Sequence, residues 1–131
     1  MIEVGKTLEK TFQVNELYTA AVMDSGELDV LATPMMVCFM ENTAAELLGS
    51  FLDDTQTSVG TMITTSHLSP TPEGSEVKVF AKILEVEAER TVTFEVWAED
   101  PEGLIGKGEH RRAIVDKERF MKKVAEKKLA F

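Results

Sequence analysis

The chain has 131 residues, of which 44% are hydrophobic and 28% charged, and its formal net charge is −9. These values are typical of one globular domain and argue against a disordered chain. The negative charge argues against nucleic acid or an anionic membrane surface as the main partner, although a few local cations could still hold an anionic cofactor. The single cysteine, Cys38, excludes an intrachain disulfide framework and any CxxC metal or redox motif.

No apolar run approaches the roughly 18–20 residues needed to span a bilayer. Residues 1–10 alternate charged and apolar side chains and contain no signal-peptide core. We therefore expect a soluble cytoplasmic protein, with residues 1–131 forming a single domain.

The first half of the chain predicts a strand, a loop and a long helix. Residues 6–14 alternate weakly and are expected to form a strand, whereas residues 15–30 carry turn signals and are interpreted as a loop or lid. Thr33 is the expected N-cap of the helix, with Pro34 at its first position, and the apolar run continues to Phe51. Because so few of its residues are charged, this helix is expected to be buried on nearly all sides.

The second half predicts four antiparallel strands joined by tight turns, at residues 57–68, 75–88, 91–98 and 104–115. A change of apolar parity near Ile83 indicates a β-bulge, and Asp116 is expected to cap a short lysine-rich helix. A sheet of about five strands wrapped around one apolar helix would satisfy the burial of both elements. The predicted fold class is therefore α+β, in the hotdog arrangement.

Three side chains are candidates for catalysis, each with a simpler alternative. His67 ends the second predicted strand and suits proton transfer near neutral pH, but it could be a surface or structural histidine. Glu41 lies in the apolar helix, either as a buried carboxylate acting as general base or acid, or at a helix edge or dimer rim. Thr33 could simply cap the helix, or its hydroxyl could lie where a substrate carbonyl oxygen gains negative charge.

Several short segments occur in a recognisable order and spacing along nearly the whole chain. They are Ala32-Thr33-Pro34-Met35, Met40-Glu41, Val59-Gly60-Thr61, Ser66-His67, Thr71-Pro72-Glu73-Gly74 and Glu109-His110-Arg111-Arg112-Ala113-Ile114-Val115-Asp116. With these segments the chain resembles the fluoroacetyl-CoA thioesterase group of hotdog proteins.

The resemblance implies a catalytic set of Thr33, Glu41 and His67, with Gly60 helping to bind the thioester carbonyl. It also implies an acyl-CoA substrate and a homodimer with active sites at the subunit boundary. We expect no metal, and no cofactor other than the CoA of the substrate. The fluoroacetyl-specific enzyme has a lid that carries phenylalanines, whereas residues 15–30 contain none. We therefore expect the thioesterase machinery without the fluoroacetyl preference.

In the expected reaction, Glu41 either attacks the thioester carbonyl or activates a water molecule. Cations that could bind the CoA phosphates are Arg111 and Arg112, together with Arg90 and Lys78, although each could equally lie at a solvated strand edge. Two alternatives remain open at this point. One is a non-catalytic acyl-CoA-binding module of the same fold, and the other is a hotdog dehydratase or hydratase.

Overall fold

The computed structural model describes residues 1–127 and shows one antiparallel sheet packed against one long helix. The elements in chain order are β1 (Thr7–Gln13), a 3-10 turn (Glu16–Tyr18), α1 (Thr33–Gly49), β2 (Gln56–His67), β3 (Glu76–Glu87), β4 (Thr91–Asp100), β5 (Gly103–Asp116) and α2 (Lys117–Ala125). The predicted strands, long helix and terminal helix are all present. Asp116 caps α2 as expected, because its side chain accepts a hydrogen bond from the Arg119 amide at 2.9 Å.

The five strands are arranged in the order β1-β3-β4-β5-β2, so β1 and β2 are the two edges. The expected bulge in β3 occurs between Ile83 and Glu85, where the register with β4 shifts. A second bulge, between Gly60 and Met62 of β2, has no counterpart in the sequence pattern. Among residues 1–127, β2 pairs with β5 along one side only, which leaves the other side of this long strand unpaired.

The core lies between α1 and the inward face of the sheet. Alternation along the two central strands places one parity of apolar residues against the helix, all of them fully buried: Val77, Val79, Ala81, Ile83, Val92, Phe94, Val96 and Ala98. From α1, Phe39 stacks on Phe12 of β1 with ring centroids 4.2 Å apart. Burial of a side chain of this size contributes about 1.5–3 kcal/mol to folding.

The outward face of the sheet carries a separate aromatic pair. Phe80 of β3 and Trp97 of β4 are register partners, and their rings stack with centroids 5.0 Å apart. Their neighbours Val79, Val96 and Ala98 point inward and are fully buried. The aromatic pair and the helix therefore lie on opposite faces of the sheet.

Two features of α1 differ from the expectations. The N-cap is Ala32, whose side chain makes no capping hydrogen bond, and Thr33 is the first helical residue. The helix is also not buried on all sides, because Cys38 and Asn42 on one stripe are exposed and Glu41 is half-exposed. Apolar and small residues such as Val37 continue onto this stripe, so composition alone did not distinguish it from the buried face.

Residues 15–30 form a compact loop beside the start of α1. The loop is closed by an isolated bridge between Thr19 and Leu31, and Val30 bridges to Pro72 in the turn before β3. Thr19 is buried, whereas Leu28 is 69% exposed. The loop thus has an anchored base and an exposed apolar side chain, which is compatible with the expected lid.

Candidate active site

The first cluster at the site joins the start of α1 to the end of β2. The Thr33 hydroxyl oxygen lies 2.7 Å from Nδ1 of His67, which is hydrogen-bonding distance. Ala32 occupies the cap position, and the Thr33 side chain contacts the histidine. The structure therefore brings two of the three predicted catalytic residues into direct contact.

The other ring nitrogen of His67 lies below the surface of the cleft region. Nε2 is buried and has no hydrogen-bond partner within residues 1–127. Burial lowers the pKa of His67 below its ordinary value of 6.5, and the Ser69 backbone acts in the opposite direction. A neutral imidazole with one unengaged nitrogen can take up or deliver a proton at a bound group.

A cleft of about 300 Å³ adjoins this pair. Its walls come from the loop, the helix start and the turn after β2, and they include Ala20, Thr33, His67 and Ser69. A larger groove of about 690 Å³ lies beside Trp97 on the outward face of the sheet, away from this pair. We assign the site to the smaller cleft, because it alone of the two contains the interacting threonine and histidine.

Glu41 belongs to a second cluster in the same chain. It follows Thr33 by eight residues, which corresponds to about 12 Å along the helix axis. Its carboxylate lies 3.7 Å from Nη1 of Arg112, too far for a direct hydrogen bond, and its side chain is 42% exposed. Of the two interpretations left open for Glu41, the single chain favours the helix edge over a fully enclosed carboxylate.

Gly60 makes room for this carboxylate. A Cβ atom at Gly60 would lie 2.8 Å from Oε2 of Glu41, 3.3 Å from Cε1 of His110 and 3.4 Å from Nη1 of Arg112. Any side chain at this position would therefore displace the carboxylate. The bulge that follows Gly60 lies at the same point of β2.

Arg112 is held from several sides. It is 8% exposed, and its Nε donates to the Ser58 hydroxyl at 2.8 Å while its Nη2 donates to the Ser58 carbonyl at 3.1 Å. Its Nη1 is 3.1 Å from Nε2 of His110. Burial lowers the pKa of the guanidinium and the nearby Glu41 acts in the opposite direction. Arginine nevertheless stays protonated in proteins, so a fixed cation faces Glu41.

The other cations predicted to bind CoA do not converge on one patch. Arg111 points to the face opposite Arg112, where its Nε donates to the Thr93 hydroxyl at 3.4 Å. Lys78 lies near the beginning of β3 and Arg90 lies in the turn after that strand, at opposite ends of the hairpin. In the single chain these residues do not form a joint phosphate site.

Sequence reasoning missed Ser58 and His110 as members of the second cluster. His110 was noted only within a motif, although its parity in β5 provides a signal. Residues 110 and 112 share the inward face with apolar neighbours, and polar side chains on a buried face need partners.

Residues 1–127 include neither a metal-binding cluster nor a membrane-spanning helix. These residues contain no group of three or more histidine, cysteine, aspartate or glutamate side chains that could hold a metal ion. None of the described helices is long and apolar enough to cross a membrane.

Comparison with known proteins places this chain in a family. Residues 14–118 match the family described as fluoroacetyl-CoA-specific thioesterase. The chain belongs to this family. The fluoroacetyl-CoA thioesterase of Streptantibioticus cattleyicolor is 36% identical over 114 residues, which cover 87% of this chain and 81% of that enzyme.

Solved structures agree with the fluoroacetyl-CoA thioesterase family assignment. A structure of the fluoroacetyl-CoA thioesterase superimposes with a TM-score of 0.91 at 30% identity, covering 98% of this chain and 99% of that one. A hotdog-like protein from Thermanaerovibrio acidaminovorans has a TM-score of 0.86 at 24% identity, covering 94% and 90% of the two chains, and supports the fold alone. The predicted hotdog fold and the predicted thioesterase family are both confirmed.

Proposed function

We propose that this chain is an acyl-CoA thioesterase that hydrolyses a small acyl thioester to the free acid and CoA, using Thr33, Glu41 and His67. The observation that carries the proposal is the 2.7 Å contact between Thr33 and His67 at the cleft, with a buried and unengaged Nε2 on the histidine. A purely acyl-binding protein of this fold needs no such proton-transfer group. Family membership supports the same reaction class.

The proposed reaction transfers the acyl group from sulfur to oxygen. Glu41 either attacks the thioester carbonyl carbon to form a mixed anhydride, which water then hydrolyses to the free acid, or removes a proton from the water that attacks directly. Both routes break the carbon–sulfur bond. The thiolate leaves with the electron pair of that bond. The proton that converts it to the thiol is one given up by the water consumed in the reaction, and His67, neutral at rest, relays it. The Gly60 amide and the positive end of α1 favour the negative charge that develops on the carbonyl oxygen.

We also propose that the protein acts as a homodimer, because one chain keeps the parts of its site apart. Glu41 lies about 12 Å along the helix axis from Thr33. Within residues 1–127 its carboxylate lies close to Gly60 and Arg112, and His110 adjoins the same position. Within the part of the chain that the structure describes, residues 1–127, strand β2 presents a long unpaired edge, which proteins normally cover.

Antiparallel pairing of two β2 strands about an axis between residues 63 and 64 would place Gly60 of one copy opposite His67 of the other. The Glu41 cluster of one subunit would then face the Thr33 and His67 pair of its partner. This arrangement would also cover the open stripe of α1. The free thiol of Cys38 is in keeping with a reducing, cytoplasmic compartment.

The dimer proposal has a direct test by subunit mixing. Glu41→Gln and His67→Ala homodimers are each expected to be almost inactive, because every site lacks one essential group. When the two proteins are unfolded, mixed and refolded together, half of the dimers are hybrids, and each hybrid contains one intact site. Recovery of about a quarter of wild-type activity supports a shared site. No recovery, with hybrid dimers shown by mass spectrometry, would mean that each site belongs to one chain.

The activity itself is tested by thiol release over a panel of acyl-CoA substrates that includes acetyl-, fluoroacetyl-, medium-chain, branched and aryl-CoA, with enoyl absorbance recorded in parallel. We expect thiol release, and a decrease in rate of roughly 10²–10⁴-fold for Glu41→Gln. Tight binding without thiol release would indicate a binding module, and a change in enoyl absorbance alone would indicate a dehydratase. Because the loop lacks phenylalanine, we expect no marked preference for fluoroacetyl-CoA over acetyl-CoA.

A further inference from the structure

His110 is a buried histidine that the proposed reaction does not use. It lies on the inward face of β5 and is only 1% exposed. One side of its ring packs near Phe94 of β4, with ring centroids 6.0 Å apart. Its two nitrogens contact Met62 of β2 and Arg112 of its own strand. A buried polar ring with both nitrogens engaged has a defined protonation state.

The two contacts of His110 determine which nitrogen carries the proton. Nδ1 lies 2.8 Å from the Met62 carbonyl oxygen, and because a carbonyl only accepts hydrogen bonds, Nδ1 must donate. Nε2 lies 3.1 Å from Nη1 of Arg112, and because a guanidinium only donates, Nε2 must accept. The arrangement therefore requires a neutral imidazole with its proton on Nδ1. A proton on Nε2 would point at a cation.

The groups facing His110 agree with a neutral ring. The charged groups are Arg112 on β5 and Glu41 on α1, while β2 contributes the Met62 carbonyl and β4 contributes Phe94. Burial is the largest influence and lowers the pKa of His110 below 6.5. The Met62 carbonyl and Glu41 raise it, and Arg112 lowers it.

The neutral ring completes a set of anchors for Arg112. Ser58 accepts from Nε and Nη2, and His110 accepts from Nη1, the same nitrogen that faces Glu41 at 3.7 Å. Among residues 1–127, His110 is the only hydrogen-bond acceptor that Nη1 contacts. The direction in which this nitrogen points then sets where the positive charge meets the carboxylate.

We propose that His110 is a positioning residue, which holds Nη1 of Arg112 against Glu41 by accepting its hydrogen bond at Nε2. The proposal rests on the proposed function, since it concerns the placement of the carboxylate that attacks the thioester or activates water. His110 does not act on the substrate. It acts through Arg112, and Arg112 acts on Glu41.

Two substitutions, each of which replaces one nitrogen of the imidazole, separate the two hydrogen bonds of His110. The amide oxygen of His110→Gln reaches about as far as Nε2 and can still accept from Arg112, whereas the shorter amide of His110→Asn can replace only the Nδ1 donor to Met62. We expect His110→Gln to keep kcat within about threefold of wild type. We expect His110→Asn to lower kcat about 10- to 100-fold with KM little changed, which is the range seen when a residue that orients a metal-binding side chain is replaced. Glu109→Gln, on the outward face of the same strand, is the matched control and is expected to leave kcat unchanged.

A purely structural role for His110 would give a different pattern. Both variants would then lose thermal stability, and kcat would fall only in proportion to the folded fraction, with Asn no worse than Gln. Equal kcat values for the two variants, or a lower value for Gln, would overturn the proposal. The Tm of each variant is measured alongside kcat so that unfolding is not mistaken for loss of catalysis.

A double-mutant cycle tests whether the effect passes through Arg112. In an Arg112→Gln background, His110→Asn is expected to lower kcat by less than about twofold more, because the group it positions is already absent. Multiplicative effects of the two substitutions would show that His110 acts independently and would contradict the proposal.

A spectroscopic measurement tests the arrangement without any assay of activity. In ¹⁵N-histidine NMR spectra near pH 7, His110 is expected to show a protonated Nδ1 and an unprotonated Nε2. A protonated Nε2 would overturn the positioning proposal even if the enzyme were an active thioesterase. Conversely, failure of the thiol-release assay with the expected tautomer present would refute the proposed function while leaving the geometry intact.

Discussion

Gly60→Ala should lower catalysis while leaving the fold almost unchanged. The new Cβ would lie 2.8 Å from Oε2 of Glu41, and a carbon and an oxygen need at least about 3.2 Å. The carboxylate oxygen must therefore move by roughly 0.4 Å or more. Because it is the free end of a flexible, half-exposed side chain, the movement destabilises the fold by less than about 1 kcal/mol.

The effect on the reaction should be much larger than the effect on folding. A misplacement of about 1 Å in a reacting group can lower a rate by about 100-fold, so we expect a decrease in kcat of about 10- to 100-fold for Gly60→Ala. The contacts of the same Cβ with His110 at 3.3 Å and Arg112 at 3.4 Å leave little room for compensation. The assay is thiol release at saturating acyl-CoA, together with thermal unfolding of the same preparation.

Gly108→Ala is a control that should lower the stability of the fold, unlike Gly60→Ala. A Cβ at Gly108 would overlap the backbone carbonyl oxygen of Thr64 on β2, and this atom cannot move without separating β2 from β5. We expect a loss of stability of about 1–3 kcal/mol or more, which lowers Tm by about 3–5 °C for each kcal/mol. If Gly60→Ala kept wild-type kcat, or lost as much stability as Gly108→Ala, our view of the Gly60 and Glu41 contact would be wrong.

Two further predictions follow from the histidines and their partners. Thr33→Val should lower kcat by about 10-fold or more, because it removes the hydroxyl contact with His67. Thr33→Ser keeps that hydroxyl and should retain most of the activity. Similar rates for the two variants would exclude a role for the hydroxyl. The free energy of unfolding should decrease as the pH falls below about 6.5, because burial lowers the pKa of both His67 and His110 in the folded state. The histidines of the unfolded chain therefore take up protons first. The stability that is present above pH 6.5 is lost as the pH falls through the folded-state pKa values. Urea denaturation between pH 5 and 8 measures this slope, which should be smaller in His110→Gln; an unchanged slope in that variant would refute the contribution of His110.

Much of the fold followed from residue patterns because alternation reports burial directly. Strict alternation in residues 91–98 marked β4, and the shift of parity near Ile83 marked a bulge that the register confirms. The bulge after Gly60 was not foreseen, because β2 is an edge strand whose threonine-rich sequence shows little contrast between its faces.

The site was harder to predict than the fold, for a physical reason. A helix face that is covered by a neighbour has the same apolar composition whether the neighbour is a strand of its own sheet or lies outside the chain. Val37 therefore carried no information about the open stripe, and Glu41 looked more enclosed than it is. Likewise, Arg111 and Arg112 are adjacent in sequence, and only the orientation of β5 shows which of them faces the carboxylate.

The stacked Phe80 and Trp97 pair provides the molecule with an internal optical probe. Trp97 is the only tryptophan in the chain, and its indole stacks on Phe80 on the face of the sheet that points away from the helix. Its emission should therefore change when β3 and β4 separate, and should be insensitive to small rearrangements around the thioester cleft. Intrinsic fluorescence would then follow the integrity of the sheet in every variant discussed above without added dye.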